Sequence, residues 1–524
     1  MRPAHQGQAE LPRAQLPRAQ LPRAANGLGL AAAGLLVFSV GLAVMVALCG
    51  PSVVVPTFPS AFPWPPYFTP VHLSQVAVTG LAWLVIGAGG LGLVGALLAV
   101  GRGWRPRPRG LLIGCLLAVI ALMVVPPVSS TDILDYAIYG RIAALGHSPY
   151  VMTPGQLAAS GDPVGRFDPD SWRHNHSVYG PLGTLSEQAA SHLAGPSMAK
   201  TVFWLKVWNG LAFLAVALAL DRLLRSEAAA RVRAHLLWSV NPLILWSVLG
   251  GGHIDGLAAA AGFLGLLCLR RLGAARGLAA GLLIGAAIAI KAPFVLFLLG
   301  PAWVARRSPR TLAAAALGAV AVVLPCYLLA GRAAVTAVVS RGTGVADLYQ
   351  PWQLLTRALG MHNAVTFTNV LALCAAAVLA PVLLWRLPPG PASPPGLAFA
   401  RPMLAVSLAW LICTPQQRPW YDAMIFPLLA LMPATRLDWI VVFRAMAATV
   451  AELPDTRVFR GLHLGSFTVW TVSDAVPAIL AALAAALVWL CVTGRWGPGG
   501  RAGQVDGRRR PLPDLAASGS LGRG

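Results

Sequence analysis

Apolar runs long enough to cross a lipid bilayer recur along this chain from about residue 28 to residue 493. The hydrocarbon core is about 30 Å thick and takes roughly 20 helical residues to cross, and a helix satisfies its own backbone in lipid. The runs cover 28–49, 77–100, 110–126, 201–220, 235–250, 254–269, 277–291, 293–305, 311–330, 366–385, 402–414, 420–434, 437–451 and 476–493, about fourteen in 524 residues. The fold class is therefore all-α, a polytopic transmembrane helical bundle. Several runs are short or broken by proline, as in "IKAPFVLFLLGP". Such segments predict half-spanning helices around a cavity.

Composition decides what the basic charge means. The chain is 57% hydrophobic and 11% charged, where a soluble domain has about 25% charged residues. Its formal net charge is +22, and the arginines gather in short loops such as "GRGWRPRPRG", "RRLGAAR" and "ARRSPR". That distribution follows the positive-inside rule and places those loops in the cytoplasm. It carries no nucleic-acid-binding motif, so nucleic acid is not a partner. Both termini then fall on the cytoplasmic side, and 50–76, 127–200, 331–365, 415–419 and 452–475 face outward. The repeat "LPRAQLPRAQLPRAA" marks 1–27 as a disordered basic terminus, and 494–524 reads as a disordered basic tail around a 28–493 membrane domain. The seven cysteines lie in or beside apolar runs without CxxC spacing, as small hydrophobes do.

One outward loop is unlike a connector. Residues 127–200 hold Asp132, Asp135, Asp162, Asp168, Asp170 and Glu187, six of the eighteen acidic residues. Leu134, Ile138 and Ile142 recur at helical spacing, which predicts an amphipathic helix over 132–145 lying at the membrane surface and stopped by Gly146. Asp132 suits the N-cap of that helix, with Asp135 in the first turn. A carboxylate where a span ends is costly unless it faces water or a cavity. An Asp that caps a helix while facing a cavity serves both ends.

The string "DILDYAIYGRIAALGHSPY", followed by "DPDSW" and "SVYGPL", resembles the first large external loop of the GT-C glycosyltransferases. More narrowly, the chain is similar to the polyprenol-phosphomannose-dependent α-1,6-mannosyltransferases of the MptA/MptB kind. The further matches are "NPLILWSVLGGGHIDGL", "AIKAPF" and "PQQRPWYDAMIFPLLAL", so the likeness runs from about residue 127 to 434. It implies a GT-C-like bundle with an external catalytic loop at 127–200. Asp132 falls on the family's catalytic carboxylate, and Asp135 is a secondary candidate. In "GGGHIDG" Ile254 stands where the family has Asn, while His253 and Asp255 keep their places.

The resemblance implies an inverting transfer of mannose from polyprenyl-phosphate mannose to an α-mannoside, a mannan or lipid-linked glycan. The reaction would face outward across the cytoplasmic membrane and serve lipoglycan or other cell-envelope glycan synthesis. Phosphate is already a good leaving group, so one Asp acting as base on the acceptor hydroxyl suffices. Arg141, Lys291 and Arg418 are the cations available to the donor phosphate. Tyr179, Trp420 and Tyr421 suit sugar stacking, and His253 with Asp255 reads as a polar pair on the outer face. No cofactor is implied; a divalent cation is compatible with the chemistry, but no residues at metal-ligand spacing point to one. The rival readings are another GT-C transferase using a lipid-phosphate sugar, and a transporter or flippase of lipid-linked sugars. A transporter would favour repeated halves and mid-membrane ionisable residues, and the acidic cluster instead lies in one loop.

Overall fold

A computed structural model of the chain describes residues 23–169, 172–344, 349–361, 364–390, 396–453 and 465–497. Among these residues the secondary structure is helical, with one isolated antiparallel bridge between Ala61 and Trp64. Seven helices are long and apolar enough to cross a membrane: Ala24–Leu48, Gln75–Gly101, Met198–Leu223, Ala228–Gly250, Pro309–Ser340, Val365–Arg386 and Ser466–Thr493. Five shorter apolar helices stand among them: Pro108–Val124, Asp255–Cys268, Ala274–Ile290, Ala292–Val304 and Ala400–Cys413.

Among the described residues, helices of spanning length thus do not confirm the count of about fourteen spans, several of which are short. The apolar run at 420–434 is broken near Pro427 into a tight turn, Pro419–Met424, and a short helix, Phe426–Ala430. Proline removes a backbone donor and crowds the preceding turn, so no continuous helix forms there. Leu437–Ala451 is helical but carries buried Asp438 and Arg444. The termini also differ from expectation where they are described. Residues 23–27 belong to the helix Arg23–Leu48. In the expected tail, Trp496 is buried and its carbonyl accepts the Arg436 N–H at 3.0 Å. Residues 1–22 and 498–524, and the disorder expected of them, lie outside the described residues.

Helices in lipid gain little from burying apolar surface against each other, so close backbone approach does more of the packing. Gly277, Gly281 and Gly285 follow one another at four-residue intervals along Ala274–Ile290. A Cβ at Gly277 or Gly281 would collide with the carbonyl oxygens of Thr311 and Ala315, and one at Gly285 would lie 2.9 Å from that of Ala319. This glycine face fixes Ala274–Ile290 against the long helix that starts at Pro309. Its far end is the break at Lys291, where the chain turns extended (φ −148°, ψ 120°) before a tight 3₁₀ stretch, Ala292–Leu298. The broken segment expected around "IKAPF" is present.

The 127–200 loop contains the helices Asp132–Ala144, Pro154–Ala159 and Pro181–Ala194. The first ends as expected, with Gly146 at φ +84°. It is not a surface helix, however. Ile133, Tyr136, Ala137, Tyr139 and Gly140 are buried along with Leu134, Ile138 and Ile142, so it is enclosed on every side. Sequence periodicity marked one apolar stripe, but tyrosine and alanine on the other faces pack equally well. A Cβ at Gly140 would collide with the Glu187 carbonyl, so Asp132–Ala144 and Pro181–Ala194 cross at backbone distance. The second of these helices is inverted relative to a soluble one. Thr184, Glu187 and Ser191 face inward, while Leu185 and Leu193 are 54% and 57% exposed.

The glycine face yields a direct test. Gly281→Ala should destabilise the detergent-solubilised protein by about 1–3 kcal/mol, the usual cost of overpacking. Gly34→Ala, whose added methyl meets open space, should leave the melting temperature unchanged or raise it. Equal melting temperatures for the two variants would remove the glycine face from the packing argument.

Candidate active site

The candidate site is assembled where helices stop. Asp132 follows Pro108–Val124, His253 follows Ala228–Gly250, Lys291 follows Ala274–Ile290, Arg418 follows Ala400–Cys413, and Glu452 follows Leu437–Ala451. Five segments far apart in sequence thus deliver ionisable side chains to one place.

Asp132 is the first residue of its helix, not its N-cap. Thr131 holds the cap position in a helical conformation without a side-chain bond, and the Asp132 N–H donates to Ser130 Oγ at 3.2 Å. The carboxylate is thereby left out of capping, and its side chain is 17% exposed. His253 Nδ1 lies 3.8 Å from Asp132 Oδ2, too far for a hydrogen bond, and 3.1 Å from Tyr136 Oη. The triglycine before His253 permits this approach. Gly252 has φ +70°, and a Cβ there would collide with the Ile133 side chain. The imidazole stacks on Trp420, with ring centres 3.6 Å apart and planes at 14°. Trp420 is buried, so its ring is engaged by His253 and is not an open sugar platform.

Lys291 sits at the helix break, and its Nζ donates to Asp255 Oδ2 at 2.6 Å. The same ammonium lies 4.8 Å from the Tyr421 ring centre and 5.7 Å from that of Tyr179. The string "YGPLG" brings Tyr179 there. The Gly180 N–H donates to the Ile290 carbonyl at 3.0 Å, and a Cβ at Gly180 would collide with the Ala289 carbonyl. Only glycine lets the loop rest on the helix end beside Lys291. Tyr150 Oη fixes the loop further by donating to the Tyr179 carbonyl at 2.9 Å.

Arg418 pairs with Glu452, which also accepts from Tyr349 Oη at 2.6 Å. The loop carrying Arg418, Trp420 and Tyr421 is held from behind. Buried Arg444 donates to Asp422 Oδ1 at 2.6 Å and to Gln417 Oε1 at 3.2 Å. Gln417 in turn donates to the Ile412 carbonyl at 3.1 Å.

These neighbours set the titration of the site. Burial pushes the Asp132 carboxyl above the usual carboxylate range, and the Glu452 charge adds to this, while Arg418, Lys291 and the Ser130 hydroxyl oppose it. A raised carboxyl is a stronger base once ionised, the reverse of what an N-cap would give. Burial, reinforced by Lys291 and Arg418, holds His253 well below its ordinary range, so the imidazole is neutral near pH 7. The group can accept or donate one hydrogen bond at each ring nitrogen but carries no charge.

Two residues singled out in the sequence stand apart from this cluster. Asp135 is buried, and neither carboxyl oxygen has a hydrogen-bond partner. Burial, then the charges of Asp132, Asp168 and Glu187, push it well above the carboxylate range. Burial thus favours the neutral acid, which in that form is no base. Arg141 lies nine residues beyond Asp132, about 13 Å along the helix axis, and pairs with Asp162 at 2.9 Å. Asp162 also accepts the N–H groups of Val164 and Gly165, so Arg141 braces the loop and is not presented to the site. Sequence reasoning passed over Tyr136, Glu452, Asp422 and Arg444. The last two carried a signal, since a charge inside an apolar run is rare without a purpose.

The family profile described as the alpha-(1->6)-mannopyranosyltransferase N-terminal domain matches residues 38–307, about half of the chain. That stretch includes Asp132, Tyr179, His253, Asp255 and Lys291. A probable alpha-(1->6)-mannopyranosyltransferase of Mycolicibacterium smegmatis is 28% identical over 178 residues, covering 34% of this chain and 30% of that protein. An alpha-(1->6)-mannopyranosyltransferase of Mycobacterium tuberculosis is 26% identical over 139 residues, covering 26% of this chain and 24% of its own. The match thus spans less than a third of the length of either relative. This chain belongs to the MptA/MptB family of alpha-(1->6)-mannopyranosyltransferases.

Proposed function

We propose that this chain transfers mannose from a polyprenyl-phosphate mannose to an α-mannoside acceptor, forming an α-1,6 linkage on the outer face of the cytoplasmic membrane. The product would enter a mannan or lipid-linked glycan of the cell envelope. The observation that carries the reading is the partly exposed Asp132 carboxylate under the opposing charges of Lys291 and Arg418. A base and two cations in one place are what this reaction asks for.

In the reaction, the acceptor O6–H gives its proton to Asp132 as that oxygen attacks the anomeric carbon. The anomeric C–O bond to phosphate breaks, and its electron pair leaves with the polyprenyl phosphate. Attack from the face opposite the leaving group inverts the anomeric centre, so a β-linked donor yields an α-mannoside. A positioned base of this kind contributes about 10²- to 10⁴-fold. The leaving phosphate gains a negative charge, which Lys291 and Arg418 can meet. Lys291 has three donor hydrogens, so pairing with Asp255 leaves donors for phosphate oxygens, and Arg418, held by Glu452, adds a second positive charge beside them. Tyr179 and Tyr421 flank Lys291 and keep its ammonium from wandering. The polyprenyl tail stays among the helices, so the donor meets the site from the bilayer.

Three outcomes test the reading, each measured in membranes given labelled polyprenyl-phosphate mannose and a short α-mannoside. Asp132→Asn should lower transfer by about 10²-fold or more without reducing the amount of protein in the membrane; activity above about a tenth of wild type would remove Asp132 from the base role. Lys291→Met should lower kcat/KM by about 10²-fold, as loss of one charge-stabilising donor does elsewhere. The pH profile has a worked sign. Transfer needs ionised Asp132, whose pKa is raised, so kcat/KM should fall on the acid side with a midpoint above the ordinary Asp value of about 4. Label that changes leaflet without forming glycosidic product would favour a flippase.

A further inference from the structure

The span Met198–Leu223 carries two polar side chains that the reaction above does not use. Lys206 and Asn209 are 1% and 2% exposed, and their three-residue spacing puts them on one face of the helix. A lysine inside an apolar span is costly and is kept only where something requires it. Its partners say what that is. Lys206 Nζ donates to the carbonyls of Val125 at 2.9 Å and Pro126 at 3.2 Å. Carbonyls just past a helix end are left without intrahelical partners, and a cation suits the negative end of the helix dipole. Among the described residues no carboxylate forms an ion pair with this ammonium.

One turn further along, Asn209 Nδ2 donates to the Gly252 carbonyl at 3.2 Å and to the Leu205 carbonyl of its own helix at 3.1 Å. Gly252 immediately precedes His253, and Val125 and Pro126 lead into Asp132. The two held segments are also tied to each other. The Val128 N–H donates to the Gly250 carbonyl at 2.9 Å, and Ser129 Oγ donates to that of Trp246 at 3.2 Å. One helix face therefore grips both chains just before each delivers its side chain to the site.

We infer that Lys206 and Asn209 are positioning residues, holding the segment that delivers Asp132 in register with the segment that delivers His253. This rests on the proposed reaction for its catalytic consequence but not for the clamp itself. A shift of about 1 Å in a reacting group can cost about 10²-fold in rate. Loosening the clamp should therefore appear in kcat while the donor, bound by other side chains, keeps its KM.

The test uses full-length Lys206→Met, Lys206→Arg and Asn209→Ala protein. Hydrogen exchange in detergent reads the clamp directly, and transfer assays in membranes read its effect. In Lys206→Met and Asn209→Ala, amide exchange should quicken over 125–135 and 248–256 and stay unchanged elsewhere. Their kcat should fall by about 10- to 10²-fold with donor KM within about twofold. Lys206→Arg, which keeps a cationic donor, should recover part of both. Unchanged exchange and unchanged kcat would overturn the inference. Failure of both Lys206→Met and Asn209→Ala to accumulate in the membrane would overturn it too, making the pair determinants of folding alone. Altered exchange with no transfer even by wild type would leave the clamp standing and overturn the proposed reaction.

Discussion

A charge placed among apolar helices has to be met by an opposite charge or by backbone dipoles, and that constraint organises this protein. Unpaired, an ion there costs several kcal/mol; paired, it fixes the groups that meet it. Lys291 meets Asp255, Arg418 meets Glu452, Arg444 meets Asp422, and Arg233 meets Asp438. Lys206, with backbone carbonyls as partners, satisfies the rule in its other form. Each pair joins segments distant in sequence. Side chains at the ends of short or broken helices are thereby held as firmly as if they stood on one element.

The helix breaks follow from the same logic. Lys291 stands where the helix stops, so its backbone is free to leave the helical path and its side chain need not follow the helix surface. At the end of Ala274–Ile290 the chain turns extended, and Gly180 rests against the Ala289 and Ile290 carbonyls. The glycine face on Gly277, Gly281 and Gly285 holds the helix itself in place. Packing, break and loop docking are three parts of one device that sets an ammonium between Tyr179 and Tyr421.

Much of this was legible in the sequence. Long apolar runs gave the helical class, proline in "IKAPF" gave the break, and the acidic loop gave the helix from Asp132. What the sequence could not convey was enclosure. Leu134, Ile138 and Ile142 mark one stripe, but Tyr136, Tyr139 and Gly140 are buried as well because Pro181–Ala194 crosses them at backbone distance. Nor does spacing along the chain reveal which acid takes which base. By sequence Arg141 is as available as Lys291, but Asp162, twenty-one residues on, holds it. Asp132 suits a cap by residue type, and only the geometry of Thr131 removes it from that role.

The pairing rule also bears on the proposed chemistry. Near the site stand three carboxylates, Asp132, Asp255 and Glu452, against the cations Lys291 and Arg418, with His253 neutral. In the proposed transfer a proton passes from the acceptor hydroxyl to Asp132, which loses its charge, while the departing phosphate gains one. The sum over the site does not change. Negative charge only moves, from a carboxylate influenced by both cations to a phosphate that the same cations can bind. A neutral His253 matters here, since an imidazolium stacked on Trp420 would stabilise Asp132 as its anion and weaken it as a base. In a low-dielectric site, a reaction that transfers charge between two places already facing the same cations avoids the large penalty of creating a new ion.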